Sequence, residues 1–264
     1  MRKEPSNGVF RLANPKANLS RFEHKTLAGM DGWIPAIVTV EPPLVPVKVQ
    51  YLLKAHRNGY LATSFEEIVA YFKPFIPALD SATHSLAYKS SDLPWHLPTG
   101  VLIDIFRPKI PWALCIKENG DTGLPAQEMR VFWQQQTKES CYIRDGNSSR
   151  VMNLSKDDSA QLWDAVCTHD FLEFERLFRP LVKGFRKVPL KIHQKGVSVV
   201  YVLADPSLTV GAILNQQLPD KFPSTRVALE FQAYLLGAAV PLGAPIQELY
   251  EFCYVDGFIH LCIY

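Results

Sequence analysis

The apolar residues change period several times along the chain, and those changes define its elements. Positions 34–40 and 46–53 are Val- and Ile-rich runs of strand length. A turn at Arg57-Asn58-Gly59 precedes the clearest helical pattern, in which Phe65, Ile68, Val69 and Phe72 fall at i, i+3, i+4 and i+7. Ser64 and Glu67 stand at capping-box spacing before it, and Pro74 stops it. Strand-like 86–88 leads to Leu93-Pro94-Trp95-His96-Leu97-Pro98-Thr99-Gly100, then to an apolar stretch, 101–106, to which the pattern assigns no element. Strand-like 112–117 closes this part, giving strand, strand, helix, strand, turn, strand.

After a linker-like run at 118–125, the pattern turns helical from 126 to 180. One helix is predicted over 126–143, ending at Asp145-Gly146. A second starts at Ser155 with Asp158 as its capping partner. A third starts near Asp170 with Glu173 and stops at Pro180. The last part repeats the first in kind. Strands at 188–193 and 197–203 precede a helix near Thr209 carrying Val210, Ile213 and Leu214. A strand-like run over 227–236, a short helix at 246–252 and a strand at 258–264 follow.

The repetition extends to residues. A shift of 147 lays Leu93-Pro94 on Val240-Pro241, Pro98 on Pro245, and Leu114-Cys115-Ile116 on Leu261-Cys262-Ile263; a shift of 154 lays Ile34-Pro35 on Val188-Pro189. Internal repeats constrain architecture more than any single element does. The expected fold is α+β, with two ubiquitin-like β-grasp domains flanking a helix-rich domain. The expected units are a basic tail at 1–18 without order, a helix at 19–29 (core 21–28, capped by Ser20 and Glu23), a first grasp domain at 30–118, a linker and helix-rich domain at 119–183, and a second grasp domain at 184–264.

Composition narrows the function. At 264 residues the prior is about two domains of ~150 residues, which the duplication raises to three. Twenty prolines against fourteen glycines suit short elements with sharp ends, not a coiled coil. The net charge of +2 argues against nucleic acid as a partner. The basic excess sits in residues 1–29, with Arg2, Lys3, Arg11, Lys16, Arg21 and Lys25 against Glu4 and Glu23; it lacks the apolar core of a secretory signal. The longest apolar run, 234–246, is too short and too broken by Gly and Pro to span a bilayer. Cys115, Cys141, Cys167, Cys253 and Cys262 are odd in number with no Cys-x-x-Cys spacing, so reduced packing residues are expected, with no disulfide framework and no metal or other cofactor. His24, His56, His84, His96, His169, His193 and His260 are scattered and suggest no pairing.

Several motifs, in order, resemble the autophagy-related protein 5 family. They are the 93–100 segment with Val101-Leu102-Ile103-Asp104; Gln136-Thr137-Lys138-Glu139-Ser140-Cys141-Tyr142-Ile143; Asp145-Gly146-Asn147-Ser148-Ser149; Met152-Asn153-Leu154-Ser155; Gln161-Leu162-Trp163; Gly184-Phe185-Arg186-Lys187-Val188-Pro189; and Asp256-Gly257-Phe258-Ile259-His260-Leu261. The resemblance covers about residues 30–264. It implies a cytoplasmic conjugation scaffold, peripheral on the preautophagosomal or phagophore membrane and without catalytic residues of its own. The ubiquitin-like autophagy-related protein 12 would be attached to Lys138, or held without a covalent bond. A helix of autophagy-related protein 16 would bind across the domains. Together with the conjugating enzymes, the assembly would promote transfer of autophagy-related protein 8 to phosphatidylethanolamine.

The residues themselves say less. On a helical wheel Met129, Phe132, Trp133, Ser140 and Ile143 cluster, and Lys138 falls opposite them, one of sixteen lysines. Attack on a thioester requires a neutral amine, which lysines rarely supply at neutral pH, so activation would come from the docked enzyme. Arg144, Arg150 and Lys156 are expected to form a basic patch near Lys138; Arg150 and Lys156 are candidates for contact with anionic phospholipid. Trp95 is expected in the core. A remote alternative is a cysteine-dependent hydrolase using Cys141 or Cys167, though no histidine partner is evident.

Overall fold

In β1 (Trp33–Val40), Ile34, Ala36 and Val38 are buried and alternate with more exposed neighbours, so one face of the strand meets a core. The structure, a computed structural model, describes residues 32–40, 49–89, 91–118, 128–223, 230–252 and 255–264. The expected tail, the helix at 21–28, the linker at 119–125 and Cys253 lie outside the described residues.

β1 pairs antiparallel with β2 (Tyr51–His56) and parallel with β5 (Trp112–Glu118); β3 (His84–Tyr88) joins β5 and carries β4 (Ser91–Asp92), giving the order β2-β1-β5-β3-β4. A parallel pair needs a crossover. It contains α1 (Phe65–Phe72), whose four predicted apolar residues are all buried. The capping box does not form. Leu61–Ser64 make a 3-10 turn that runs straight into α1, so Ser64 is helical and its hydroxyl caps nothing, while Glu67 accepts from Tyr51 Oη at 2.7 Å. The unassigned stretch is a helix, α2 (Thr99–Phe106). Thr99 through Asp104 are all buried, so no polar face exists to mark a helical period.

The second sheet has the order β7-β6-β10-β8-β9, built from β6 (Val188–Gln194), β7 (Val197–Ala204), β8 (Ala233–Leu235), β9 (Ala238–Ala239) and β10 (Ile259–Ile263). Its register repeats the first. The pairs Val38–Leu114, Ala87–Cys115 and Ala87–Asp92 become Ile192–Leu261, Tyr234–Cys262 and Tyr234–Ala239 under the same shifts of 154 and 147. Of the strand predicted over 227–236, the described residues show 233–235 as strand and 230–232 and 236 as not; 224–229 lie outside the described residues.

The middle layer is α3 (Met129–Asp145), α4 (Ser149–Met152), α5 (Lys156–Thr168) and α6 (Phe171–Val182). Gly146, at φ 80°, ends α3 in the left-handed conformation glycine favours. Ser155 and Asp170 cap as expected, accepting from Asp158 N at 2.9 Å and Glu173 N at 3.1 Å. The helix α6 does not stop at Pro180: it runs on to Val182, because Leu181 and Val182 are anchored in the core and only one backbone donor is missing. In the second sheet's domain lie α7 (Val210–Gln217), capped by Thr209, and α8 (Ile246–Phe252).

Two separate apolar cores result. One lies under the first sheet with α1. The other joins the second sheet, α7 and α8 to the helical layer through Met129, Trp133, Leu162 and Phe178. The helical layer therefore covers the outer face of the second sheet, and there the strands turn polar. Lys191 on β6 lies 3.5 Å from Asp256 Oδ2 and donates to Gln136 Oε1 of α3. Asp256 Oδ1 lies 3.0 Å from His260 Nε2, and His260 Nδ1 is 3.0 Å from His193 Nε2. The sequence suggests no pairing among the histidines. The parallel register of β6 on β10 brings these two together across 67 residues, and His56 stacks on His169 at 4.0 Å between the first domain and the helical layer. Burial alone would push the Asp256 carboxyl up; Lys191 and His260 overcome it and hold Asp256 below the usual carboxylate range. Burial, then His260 and Lys191, holds His193 well below an ordinary imidazole.

Two predictions follow from this cluster. Asp256→Asn leaves the Lys191 ammonium buried without its counter-charge and should lower stability by about 3–5 kcal/mol in denaturant melts. His193 binds a proton in the unfolded chain near pH ~6.5 but not when folded. Its contribution is therefore complete above that pH and lost as pH falls through and below it, while that of Asp256 is lost only below pH ~4. Melting temperature should drop between pH 7.5 and 5.5, and His193→Gln should flatten that slope.

Candidate functional site

Lys138 sits in the third turn of α3, a helix fixed at several points. Trp133 Nε1 donates to Val255 O at 3.1 Å, and Gln136 accepts from Lys191. Near the C-terminal end, Arg144 donates to Tyr250 Oη at 3.2 Å, to Asp145 Oδ2 at 2.9 Å and to Leu181 O. Gly257, at φ 88°, lies under the helix so closely that a Cβ there would meet Ser140 Oγ at 1.9 Å. Toward the first domain, Phe132 packs on half-buried Trp95 at 5.5 Å, so Trp95 bridges domains at the edge of the core.

The wheel reading of α3 needs correction. Its buried residues are Met129, Trp133, Gln136, Thr137, Ser140, Cys141 and Arg144, a broader face than the apolar residues alone suggested, because polar side chains are buried against the second sheet and α6. Phe132 and Ile143 are half-buried. The open face is Val131, Gln135, Glu139 and Tyr142, and Lys138 lies at its border, half-buried. It lines a cleft of about 450 Å³ where α3, α4 and the start of α5 meet, shared with Arg130, Thr137, Met152, Leu154 and Lys156. Among the described residues, no aspartate, glutamate or histidine lines that cleft. Apolar, hydroxyl, amide and cationic side chains surround Lys138 there, and a proton acceptor for its amine would arrive with a partner.

The three expected basic residues do not form one patch. Arg144 is buried and serves as a bolt. Arg150 is exposed but lies 3.6 Å from Asp145 and donates to Lys183 O. Lys156 is exposed at the cleft. Two thiols, Cys141 and Cys167, are held toward the protonated form. Burial raises Cys141, which lies 3.7 Å from Asp145, and burial with Asp164 pushes Cys167 up to about 11.

A second cavity, about 610 Å³, opens where the first domain meets the second sheet. Arg57 Nη1 donates to Leu236 O at 3.1 Å, Asp104 Oδ2 accepts from Gly237 N at 2.9 Å, and the Arg107 guanidinium stacks over Tyr264 at 4.0 Å. Exposed Trp33 and Ile110 lie on its rim. Sequence reading places Arg57 in a turn and Asp104 in a motif, and does not bring the groove residues together. It gives no role to Lys191, and it carries Gln136 and Asp256 only as members of motifs, with no sign that the three meet.

Comparison with known proteins matches all three parts. Residues 30–118 match the family model described as Autophagy protein ATG5, UblA domain; 126–184 match its alpha-helical bundle region; and 187–263 match its UblB domain. The Autophagy protein 5 of Phaeosphaeria nodorum is 29% identical over 272 residues, covering 81% of this chain and 86% of that protein. That of Pichia angusta is 29% identical over 238 residues, with the same two coverages of 81% and 86%. The crystal structure of Kluyveromyces marxianus Atg5 shares the fold, with a TM-score of 0.77 at 21% identity over 91% of this chain and 99% of that one. With two ubiquitin-like domains and the helical bundle between them all matched in order, this chain belongs to the autophagy protein 5 family, and its role lies in autophagy.

Proposed function

We propose that the chain is a conjugation scaffold that accepts autophagy-related protein 12 through an isopeptide bond on Lys138. The observation that carries this reading is the setting of Lys138: a half-buried lysine on a helix bolted to its neighbours, at a cleft whose described lining holds no carboxylate or imidazole. In the reaction the neutral amine attacks the carbonyl carbon of the modifier's C-terminal thioester. A C–N bond forms, the C–S bond breaks, the thiolate leaves on the conjugating enzyme, and the amine's proton passes to a group that the enzyme brings. A rigidly held nucleophile lowers the entropic cost of that encounter.

The conjugate then binds a helix of autophagy-related protein 16, for which the groove rimmed by Trp33, Ile110 and Arg107 offers apolar anchors beside charge. The assembly promotes transfer of autophagy-related protein 8 to phosphatidylethanolamine from a cytoplasmic position. Among the described residues no helix is long and apolar enough to cross a membrane. Exposed Lys156 and, more weakly, ion-paired Arg150 contact anionic phospholipid at the phagophore surface.

Co-expression with the modifier and its conjugating enzymes, read on a reducing denaturing gel, tests the central step. The chain should shift by the mass of the modifier, Lys138→Arg should abolish the shift, and Lys156→Arg should keep it. A shift that persists in Lys138→Arg contradicts the assignment. Co-purification without any shift would replace the covalent reading by a non-covalent one.

A further inference from the structure

The two sheets repeat each other's register but differ at one edge. Proline stands opposite Lys54 in β2 of the first sheet and opposite Leu203 in β7 of the second, so Lys54 and Leu203 occupy equivalent places. Lysine on an edge strand discourages pairing with another chain. β7 has no such guard. Val199, Tyr201 and Leu203 are all exposed, alternate along the strand, and carry no charge. β7 is also the end strand of its sheet among the described residues.

The backbone fits the same picture. Pro189 has no N–H and cannot exchange hydrogen bonds with Leu203, its opposite number. The alternation of an antiparallel ladder then turns the N–H and C=O groups of Tyr201 and Leu203 toward the open edge. A register shift between Ile192 and Gln194 bends the hairpin end, which leaves 199–203 as the straight stretch.

We infer that β7 is a self-association edge, and that a second copy of this chain pairs with it antiparallel about Tyr201. In that register Val199 lies opposite the partner's Leu203, and the apolar residues of both strands form one band. The charges complement each other as well. Lys195 is exposed in the hairpin before β7, and Asp205, now paired with Lys187 at 3.3 Å, follows its other end. Antiparallel pairing brings each Lys195 toward the partner's Asp205. The contact closes on a two-fold axis, so it yields dimers and not filaments. No residue of β7 lines the cleft of Lys138 or the groove between the domains, and the contact stands independently of the conjugation reading.

Sedimentation equilibrium of the full chain in reducing buffer, from about 1 to about 200 µM, tests it; the span covers the weak dimers that short edge contacts give. The average mass should rise with concentration from 29.8 kDa toward twice that value. Leu203→Lys, at an exposed site where the first sheet already holds lysine, should weaken association at least about tenfold. Lys195→Asp should weaken it about threefold, and adding Asp205→Lys should restore it. A chain that stays at the monomer mass throughout, or dimers indifferent to Leu203→Lys, would overturn the proposal. Failure of the double exchange to restore association would overturn the antiparallel register.

Discussion

The buried pair of Lys191 and Asp256, completed by Gln136 and His260, is the contact on which the placement of the central helix depends. A charged pair is a costly way to join two layers, since both ions lose their hydration. Here each ion keeps further partners: Gln136 accepts from Lys191, the Phe258 ring lies 4.0 Å from Lys191 Nζ, and Phe258 N donates to Asp256 at 3.1 Å. What such a pair gives in return is registry. An apolar seam between α3 and the sheet would tolerate sliding, whereas Gln136 can reach Lys191 at one setting of the helix. Arg144 fixes the far end in the same manner, through Tyr250 and Leu181. Lys138 lies between these two bolts.

The duplication explains why the network exists in one half only. Ile37 opposite Ala113 in the first sheet corresponds to Lys191 opposite His260 in the second. Among the described residues the first sheet has no helical layer of this kind on that face, and its residues there are partly or fully open. The second sheet is covered, and covering allowed polar residues to become internal contacts. The two copies thus share strand order, ladder register and the position of the proline pairs, and diverge where a neighbour arrived or an edge was left open.

Much of this was legible in the residues. Apolar runs of strand length located β1, β5, β6 and β10; caps at Ser155 and Asp170, and the apolar spacing after Thr209, located the starts of three helices. Repetition at fixed shifts gave the architecture. Legibility failed where a neighbour in space set the outcome. The helix α2 is buried on all sides and shows no period. Ser64 has the spacing of a cap, but the 3-10 turn before it removes the need. Nothing along the chain pairs Lys191, His193 or His260 with a partner, because the layer above them lies more than fifty residues away in sequence. Lys138 itself was marked by the resemblance of its surroundings, not by any physical signal that sets one surface lysine above fifteen others.

The account centres on α3 being held in one setting by the charged contact beneath it, so that the Lys138 amine is presented in a fixed place. Amide hydrogen exchange read by mass spectrometry on wild type and Asp256→Asn tests this most directly. In the variant, exchange should accelerate across 129–145 under conditions where most of the chain remains folded, while 33–40 and 112–118 of the separate first core keep their protection. Unchanged protection of 129–145, or an equal loss in both domains, would contradict it.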